Sequence, residues 1–443
     1  MTVSNQSVLI IGAGAAGLAA ARELVRSGLE VTVLEARNRI GGRIHTLREE
    51  HSSLPIELGA EFIHGKAPEI LDIAEKQRLV ISDVSDRHWY LRNGVFSDTP
   101  EFFSSLKKIM ERIKRRKKDV SFQEFLDSQA KNSLGKEAKR TAALYAQGYH
   151  AADTTRISIQ GLNKVNAAAD KIEGNRPFRI LDGYDRIAQH LYDGAIEGGA
   201  AFRFNTIVKE IRWSKNSVDI IATFGNETIE FHSSHALITV PLSILQMRAI
   251  RFQPELPEKE KAANRLAMGH VVRVIFVFRE RFWEDLKLLF NRRRQTFSDF
   301  AFIHAPEEMI PTWWTQLPVR DAMLVGWTGG PNAKRLLQDD LEVVLDRALK
   351  SLQHILCIPR KEIKNMLEHS YMHNWSADAF TGGAYSYIPV GAMKAPSQLA
   401  RPVEHTLFFA GEATNTEGHA GTVHGAIATG IRAAGELIEL LKI

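Results

Sequence analysis

Three glycines and one glutamate near the start of the sequence have the residue types and spacing that bind a dinucleotide. Gly12, Gly14 and Gly17 form a G-x-G-x-x-G turn, and Glu35 follows Gly14 by 21 residues. The first glycine permits a tight turn, the second lets backbone approach a pyrophosphate, and the third lets a helix pack against a strand. An acid at this distance accepts hydrogen bonds from a ribose. The pattern predicts a site for NAD or FAD and does not by itself choose between them.

The residues around this turn predict the elements that must position it. Residues 8–11 form a continuous apolar run, which is typical of a buried parallel strand. After the turn, Leu18, Ala21 and Val25 recur at helical spacing and predict a helix to about residue 26, with Gly28 as its C-terminal stop. The start of that helix presents free N–H groups and a positive dipole end to phosphates. A second strand, residues 30–34, is expected to end in the ribose-binding glutamate.

The segment that follows the second strand indicates FAD. Residues 35–43 (EARNRIGGR) resemble the E-A-R-x-R-x-G-G-R signature of the flavin amine oxidase family, which includes monoamine, polyamine and L-amino-acid oxidases and flavin histone demethylases. Further resemblances follow in family order at residues 57–65, 235–242, 282–283, 311–314, 375 with 382–385, 408–412 and 421–426. They span nearly the whole chain.

The resemblance implies which residues hold the cofactor. Arg43 would neutralise the pyrophosphate with a forked donor, Val208 would offer backbone to the adenine, and Glu412 would meet the ribityl–pyrophosphate portion. A second helix, opening near Gly421, would direct its positive end to the flavin. The residues expected to contact FAD are Gly12, Gly14, Ala15, Ala16, Gly17, Glu35, Ala36, Arg37, Gly42, Arg43, Gly59, Ala60, Glu61, Phe62, Val208, Glu412, Thr422, Val423 and Ala426. Binding is expected to be non-covalent, because Ala384 stands where mitochondrial monoamine oxidases carry the flavin-bonding cysteine.

The resemblance also implies a reaction. In the family, a hydride equivalent passes from the carbon beside an amine to flavin N5, the imine hydrolyses, and oxygen reoxidises the flavin to give hydrogen peroxide. The candidate catalytic residues are Arg273, Tyr385, His64, Trp375 and Thr422.

Each candidate has its own interpretation. Arg273 stands where the family usually has a lysine near N5, which predicts slow reaction with oxygen and leaves another electron acceptor open. Tyr385 matches one tyrosine of the monoamine oxidase aromatic pair, whereas Thr422 replaces the other. His64 matches a polyamine oxidase histidine, although a structural role is an equal alternative. Trp375 packs either against the flavin or in the core of a second domain.

Three other functions remain open at this point. A related flavin desaturase would share the dinucleotide and G-G-R signatures but usually lacks the later motifs. An L-amino-acid oxidase is disfavoured, because residues 61–64 contain no cation for a substrate carboxylate. An FAD-stabilised binding module without activity is supported only by Arg273 and Thr422.

Composition and charge narrow the class of protein. The chain has 443 residues, of which 44% are apolar and 25% charged, the balance of a globular protein with two or three domains. A single cysteine, Cys357, excludes an internal disulfide framework and a multi-thiolate metal site, and it favours a cytoplasmic location. We expect this cysteine to lie in a helical core. No secretory signal or tail anchor is visible. The basic run at residues 112–118 is expected to be a solvated helix face, and no aromatic interleaving indicates nucleic acid. The oligomeric state is left open.

Segments with alternating strand and helix patterns are separated along the chain by segments of different character, and this order predicts domains built from discontinuous pieces. Segments of βα character occur at residues 1–77, 178–265 and 401–443, and we expect them to form a Rossmann-like FAD-binding domain. Residues 78–177 and 266–400 are expected to form an interleaved substrate-binding domain of mixed sheet and helices. The fold class predicted is therefore α/β plus α+β.

Overall fold

The structure is a computed structural model that describes residues 7–50, 52–98, 100–129, 135–291 and 293–442. Within these ranges the strands are β1 (Ser7–Ile11), β2 (Glu30–Leu34), β3 (Thr46–Leu47), β4 (Ile56–Glu57), β5 (Phe62–His64), β6 (Ile81–Asp83), β7 (His88–Arg92), β8 (Val95–Asp98), β9 (Pro177–Ile180), β10 (Ala201–Arg203), β11 (Thr206–Ser214), β12 (Ser217–Phe224), β13 (Glu227–Ser233), β14 (His235–Ile238), β15 (Arg251–Gln253), β16 (Ala267–Met268), β17 (Val271–Phe278), β18 (Lys287–Phe290), β19 (Arg293–Thr296), β20 (Phe302–His304), β21 (Thr312–Trp314), β22 (Met323–Gly329), β23 (Leu367–Tyr371), β24 (Ser386–Tyr387) and β25 (Leu407–Phe409).

The helices within the same ranges are α1 (Ala15–Arg26), α2 (Pro68–Lys76), α3 (Pro100–Lys114), α4 (Phe122–Ser128), α5 (Lys136–His150), α6 (Ile159–Lys171), α7 (Asp185–Glu197), α8 (Leu242–Gln246), α9 (Pro257–Arg265), α10 (Gly330–Leu336), α11 (Leu341–Leu356), α12 (Arg360–Met366), α13 (Ala395–Ala400) and α14 (Val423–Leu441). Short 3₁₀ helices cover Phe282–Asp285 and Glu412–Thr414. No helix in the described part of the chain is both long and apolar enough to cross a bilayer.

A five-stranded parallel sheet in the order β10-β2-β1-β14-β25 lies at the centre of the dinucleotide-binding part. Successive side chains of a strand point to opposite faces, and β1 shows the consequence. Val8 and Ile10 pack among α1, α7 and α14, whereas Leu9 and Ile11 pack against the second sheet β13-β12-β11-β15. The result is a three-layer arrangement of helices, parallel sheet and a second sheet, which is the Rossmann-like fold predicted from the sequence.

Close backbone approaches fix α1 in this layer. A Cβ atom on Gly17 would lie 1.9 Å from the carbonyl oxygen of Gly12, and one on Gly430 of α14 would lie 2.1 Å from that of Ala16. Glycine has no Cβ atom and therefore permits these close backbone approaches. Gly17 and Gly430 thus hold α1 between the phosphate-binding turn and α14. The helix ends as predicted, with Gly28 at φ +80° just after Ser27.

The second large sheet has nine strands in the order β19-β18-β8-β7-β20-β21-β22-β17-β23. Strand β17, which is next to the edge strand β23, is buried along its whole length and pairs antiparallel with β22 and β23. Helix α11 packs on one face of this sheet, and α3 to α6 form a separate helical layer with its own core. The chain therefore adds an α+β part to the α/β part, as the sequence predicted. The residue limits of the two proposed domains stay a prediction.

One expectation from the sequence is wrong. Cys357 was expected in a helical core, yet it is exposed and follows the last residue of α11 with φ +55°. A residue in that left-handed conformation ends the helix and carries its side chain away from the buried face.

Candidate functional site

One continuous cavity of about 1800 Å³ runs between the parallel sheet, the helical layer and the nine-stranded sheet. Every residue predicted to contact cofactor or substrate lies on its wall except Gly17, which packs beneath the turn. The wall residues come from segments as far apart as the first and last elements of the chain. The fold therefore brings the predicted residues together into one site.

The phosphate-binding turn forms one end of the cavity. Gly12 has φ +103°, a conformation that favours glycine, and Gly14 is the N-cap of α1 without a side-chain cap. The first N–H groups of an α-helix have no acceptor within the helix, so those of Ala15 and Ala16 are available to a ligand. A Cβ atom on Gly14 would meet nothing within 4 Å. This open space is a cradle of the kind that a pyrophosphate fills.

Glu35 lies beside this cradle and is held by backbone. Its carboxylate accepts hydrogen bonds from the N–H of Ala13 (2.7 Å) and from that of Arg37 (2.8 Å). Burial raises its pKa, and the two N–H groups oppose that rise. A carboxylate has about four acceptor positions, so capacity remains for ribose hydroxyl groups.

Two arginines of the EARNRIGGR segment are engaged by protein groups. Arg37 donates to Asp378 (2.5 Å) and to Thr381 (2.9 Å), which joins the turn to the loop before Tyr385. Arg43 donates to the carbonyl oxygen of Ala384 (2.7 Å) and to Glu412 (3.0 Å). Both side chains also reach the cavity wall, where Ala36 and Gly42 expose backbone.

Glu412 connects three segments around the cavity. Besides Arg43, it accepts from the hydroxyl of Ser386 (2.6 Å) and from the N–H of Gly421 (2.9 Å). Thr422 follows as the N-cap of α14 and accepts from the N–H of Gly425. The start of α14 therefore faces the cavity with Val423 and Ala426 on the wall. Thr422 acts here as a helix cap, which explains a small hydroxyl residue at this position.

A buried cluster of charges joins Arg273 to the segment at residues 59–62. Arg273 of β17 donates to the carbonyl oxygen of Gly59 (2.8 Å) and forms an ion pair with Glu61. Arg179 of β9 pairs with the same carboxylate (2.7 Å), and the indole of Trp314 donates to it (3.2 Å). Burial tends to raise the pKa of Glu61, but the two guanidinium groups outweigh it and hold that pKa below its ordinary value. Arg273 is thus buried and paired.

The other candidate catalytic residues line the cavity beyond this cluster. Tyr385 donates its hydroxyl to the carbonyl oxygen of Tyr149 (3.0 Å), and Nδ1 of His64 lies 3.3 Å from the hydroxyl of Tyr149. Burial lowers the pKa of His64 to about 4, so the ring is neutral at neutral pH. The indole N–H of Trp375 donates to the carbonyl oxygen of Leu58 (2.9 Å), and Trp375 forms part of the cavity wall.

Near this cluster, Glu57 makes the stability of the protein depend on pH. Burial raises its pKa from 4.5 to about 7, against hydrogen bonds from Thr46 (2.6 Å) and the N–H of Tyr184 (2.7 Å). The folded protein then keeps a proton that the unfolded chain loses, so stability is expected to fall as pH rises from 4.5 to about 7, by up to about 3 kcal/mol. Glu57→Gln should remove most of this fall. Thermal unfolding of both proteins at pH 5.5 and pH 8 measures it; parallel pH dependence would contradict the assignment.

Sequence reasoning missed two residues of the site. Arg179 lies on β9, where the antiparallel pairing with β5 places it beside Phe62 and within reach of Glu61. Tyr149 lies in the helical layer, next to the C-terminal end of α5. Neither belongs to a motif, and a lone arginine or tyrosine in a helix or strand carries no local signal of its partner.

Together, the G-x-G-x-x-G turn, Glu35 and the cavity have the arrangement of a dinucleotide-binding protein, with polar and aromatic side chains on the cavity wall. A family model described as flavin containing amine oxidoreductase matches residues 15–438, and the chain belongs to this family.

Similarity to individual proteins agrees with this membership. The chain is 30% identical to lysine-specific histone demethylase 1 homolog 2 of Oryza sativa subsp. japonica over 98% of its own length and 57% of that protein's. It therefore spans a little over half of this relative. It is 28% identical to polyamine oxidase 3 of the same organism, over 97% of the chain and 88% of the relative. A structure of wild-type putrescine oxidase bound to putrescine has the same fold, with a TM-score of 0.80, 20% identity and coverage of 98% and 99%.

Proposed function

We propose that the protein binds FAD non-covalently and oxidises a C–N bond of a primary or secondary amine. The observation that carries the proposal is the continuous cavity, which joins the phosphate-binding turn to Arg273, Tyr385 and His64. The names of the relatives, polyamine oxidase and histone demethylase, are consistent with amine substrates. A small-molecule amine and an electron acceptor are the partners proposed.

The residues present fit FAD. The open space at Gly14, the free N–H groups of α1 and the remaining acceptor capacity of Glu35 suit a pyrophosphate and a ribose. Val208 lies on the same wall and suits the adenine end, whereas the start of α14 suits a group that gains negative charge. When bound, FAD would supply the redox chemistry, accepting a hydride equivalent and passing electrons to oxygen or another acceptor.

The chain's own residues would bind and orient the amine. Tyr385 and Trp375 provide aromatic surface that desolvates a cation and favours the neutral amine. The neutral ring of His64 can accept a hydrogen bond from an amine N–H, but its low pKa makes it a poor base for an ammonium group. These residues therefore act by orientation and by exclusion of water.

The alternatives are less well supported by the same site. An L-amino-acid oxidase needs a cation for the substrate carboxylate, and Arg273 and Arg179 are both paired with Glu61. The family match disfavours a distant desaturase. Anaerobic mixing of the FAD-loaded protein with a panel of mono-, di- and polyamines tests the proposal. Loss of flavin absorbance with at least one amine is expected, whereas no bleaching by any amine would leave the inactive binding module.

Non-covalent binding of FAD is expected from the position of Ala384. This residue is buried, its carbonyl oxygen accepts from Arg43, and it carries no nucleophile. Cys357, the single cysteine, lies outside the cavity wall. Precipitation of the holoprotein with acid should release all yellow colour to the supernatant. Flavin retained by the washed pellet would rule this out. The cytoplasmic location stays a prediction.

Arg273→Lys is expected to accelerate reoxidation by oxygen more than reduction by amine. The planar guanidinium bridges the carbonyl oxygen of Gly59 and the carboxylate of Glu61, whereas a lysine places one compact, rotatable ammonium group there. A compact cation then becomes available to the cavity at the position where the family usually has lysine. Stopped-flow traces of the two half-reactions measure the effect. Equal oxygen rates in both proteins would show that this position does not govern reactivity with oxygen.

A further inference from the structure

Tyr149 is the residue of the cavity that touches two of the candidate catalytic side chains at once. Its hydroxyl lies 3.3 Å from Nδ1 of His64, and its carbonyl oxygen accepts from the hydroxyl of Tyr385 (3.0 Å). The first contact uses the side chain and the second uses the backbone. A substitution of the side chain can therefore separate them.

The surroundings of Tyr149 hold it in place. Its ring stacks on that of Tyr145 with centroids 5.3 Å apart, and it meets the rings of His64 and His150 edge to face at 5.3 and 5.1 Å. Although 41% of its surface is accessible, burial raises its pKa to about 12. The accessible surface and the raised pKa are consistent with each other if the accessible side of the ring faces the interior of the cavity, where a substrate would lie. The tyrosine is then a neutral hydroxyl inside the site.

We propose that Tyr149 is a positioning residue for amine oxidation, whose hydroxyl oxygen accepts a hydrogen bond from the Nδ1–H group of His64 and whose carbonyl oxygen accepts one from the hydroxyl of Tyr385. With the proton on Nδ1, the lone pair of Nε2 is free to accept a hydrogen bond from an amine N–H. The opposite tautomer would offer a donor and compete with the amine's own hydrogens. This role rests on the proposed function, because it concerns the binding of an amine.

Of the titratable groups near His64, Tyr149 is the one to which we assign control of the His64 tautomer. They are Tyr149 and His150 of α5 and His424 of α14. Burial lowers the pKa of His150 to about 4 and that of His424 to about 3, so both are neutral and neither imposes a charge. His424 is engaged with His419 (3.1 Å). The hydroxyl of Tyr149 is thus the group in contact with Nδ1, and the proposal assigns it the acceptor role, which places the proton on that nitrogen.

Tyr149→Phe in the holoprotein tests the proposal, because it keeps the ring, the backbone carbonyl and the contact with Tyr385. Nitrogen-15 NMR of the histidines, with His64→Gln to assign the signal, reports the tautomer. The wild-type ring is expected as Nδ1–H, and Tyr149→Phe as a mixture. In rapid reduction by an amine, the apparent Kd should rise about 2- to 10-fold, the effect of one hydrogen bond, with the limiting rate changed less.

Tyr145→Phe is the matched control, because it removes a hydroxyl from the neighbouring stacked ring and should leave the tautomer of His64 unchanged. A wild-type signal from Nε2–H, or an equal change in both variants, would overturn the proposal. If no amine reduces the wild-type flavin, the proposed function fails, and the NMR signals alone then decide whether Tyr149 fixes His64. Flavin content and Tm of each variant separate these outcomes from misfolding.

Discussion

Glu61→Gln is expected to destabilise the folded protein by about 3–5 kcal/mol, the usual cost of leaving a buried charge without its partner. The carboxylate lies between Arg273 and Arg179, which are both buried, and the amide would neutralise neither. Two positive groups would then face each other in a medium of low dielectric constant. Thermal and denaturant unfolding of the apoprotein measure the loss without involving the cofactor.

Glu210 provides a matched control for this substitution. It also lies between two arginines, Arg212 and Arg251, but their side chains are 51% and 66% exposed. Glu210 itself is buried, but both of its partners stay in contact with solvent when the carboxylate is lost, so Glu210→Gln should lower Tm only slightly. Adding Arg179→Leu to Glu61→Gln should recover part of the lost stability by removing one unpaired charge. Equal losses of stability in Glu61→Gln and Glu210→Gln would mean that burial of the arginine partners is not the cause of the loss.

Gly14→Leu is expected to abolish binding of FAD while the protein remains folded. The backbone of Gly14 has φ −76° and ψ 178°, which any residue can adopt, and a Cβ atom would have open space. The leucine side chain would therefore project into the cradle and occupy the place proposed for the pyrophosphate. Flavin absorbance per protein after purification, and titration of the apoprotein with FAD, measure the loss.

Gly435→Leu is the control for Gly14→Leu, because Gly435 lies on the exposed face of α14 with open space at its Cβ position and away from the cavity. Leucine favours a helix interior over glycine by about 0.8 kcal/mol, so this variant should keep its FAD and its stability. Full binding of FAD by Gly14→Leu would show that the phosphates lie elsewhere. Unfolding of Gly14→Leu, measured by circular dichroism, would contradict the inference that a side chain at residue 14 has open space.

Local signals in the sequence were sufficient for the elements that hold the dinucleotide. The strands at residues 7–11 and 30–34 and the helix between them agree with the prediction, because glycine placement and buried apolar runs depend on neighbours in sequence. Family motifs supplied the rest of the cavity wall.

The contacts of Arg273 could not be predicted in the same way. Its partners, Gly59 and Glu61, lie just before β5, and Arg179 of β9 shares the carboxylate of Glu61, so the cluster forms only after three separate segments have folded together. The exposure of Cys357 escaped prediction for a related reason, since a left-handed residue after a helix leaves the periodic pattern. Pairing across distant segments and the conformation of single residues at helix ends are set by tertiary structure.

The order of strands in the parallel sheet has a consequence for synthesis on the ribosome. β14 is complete at residue 238, but its outer neighbour β25 begins at residue 407. At 5–20 residues per second, roughly 10–30 s pass before that neighbour is made. During this interval a fully buried apolar strand is an unpaired edge, the form most exposed to association with other chains. Chaperone occupancy of the nascent chain should therefore be greatest between these two points and end once α14 has emerged.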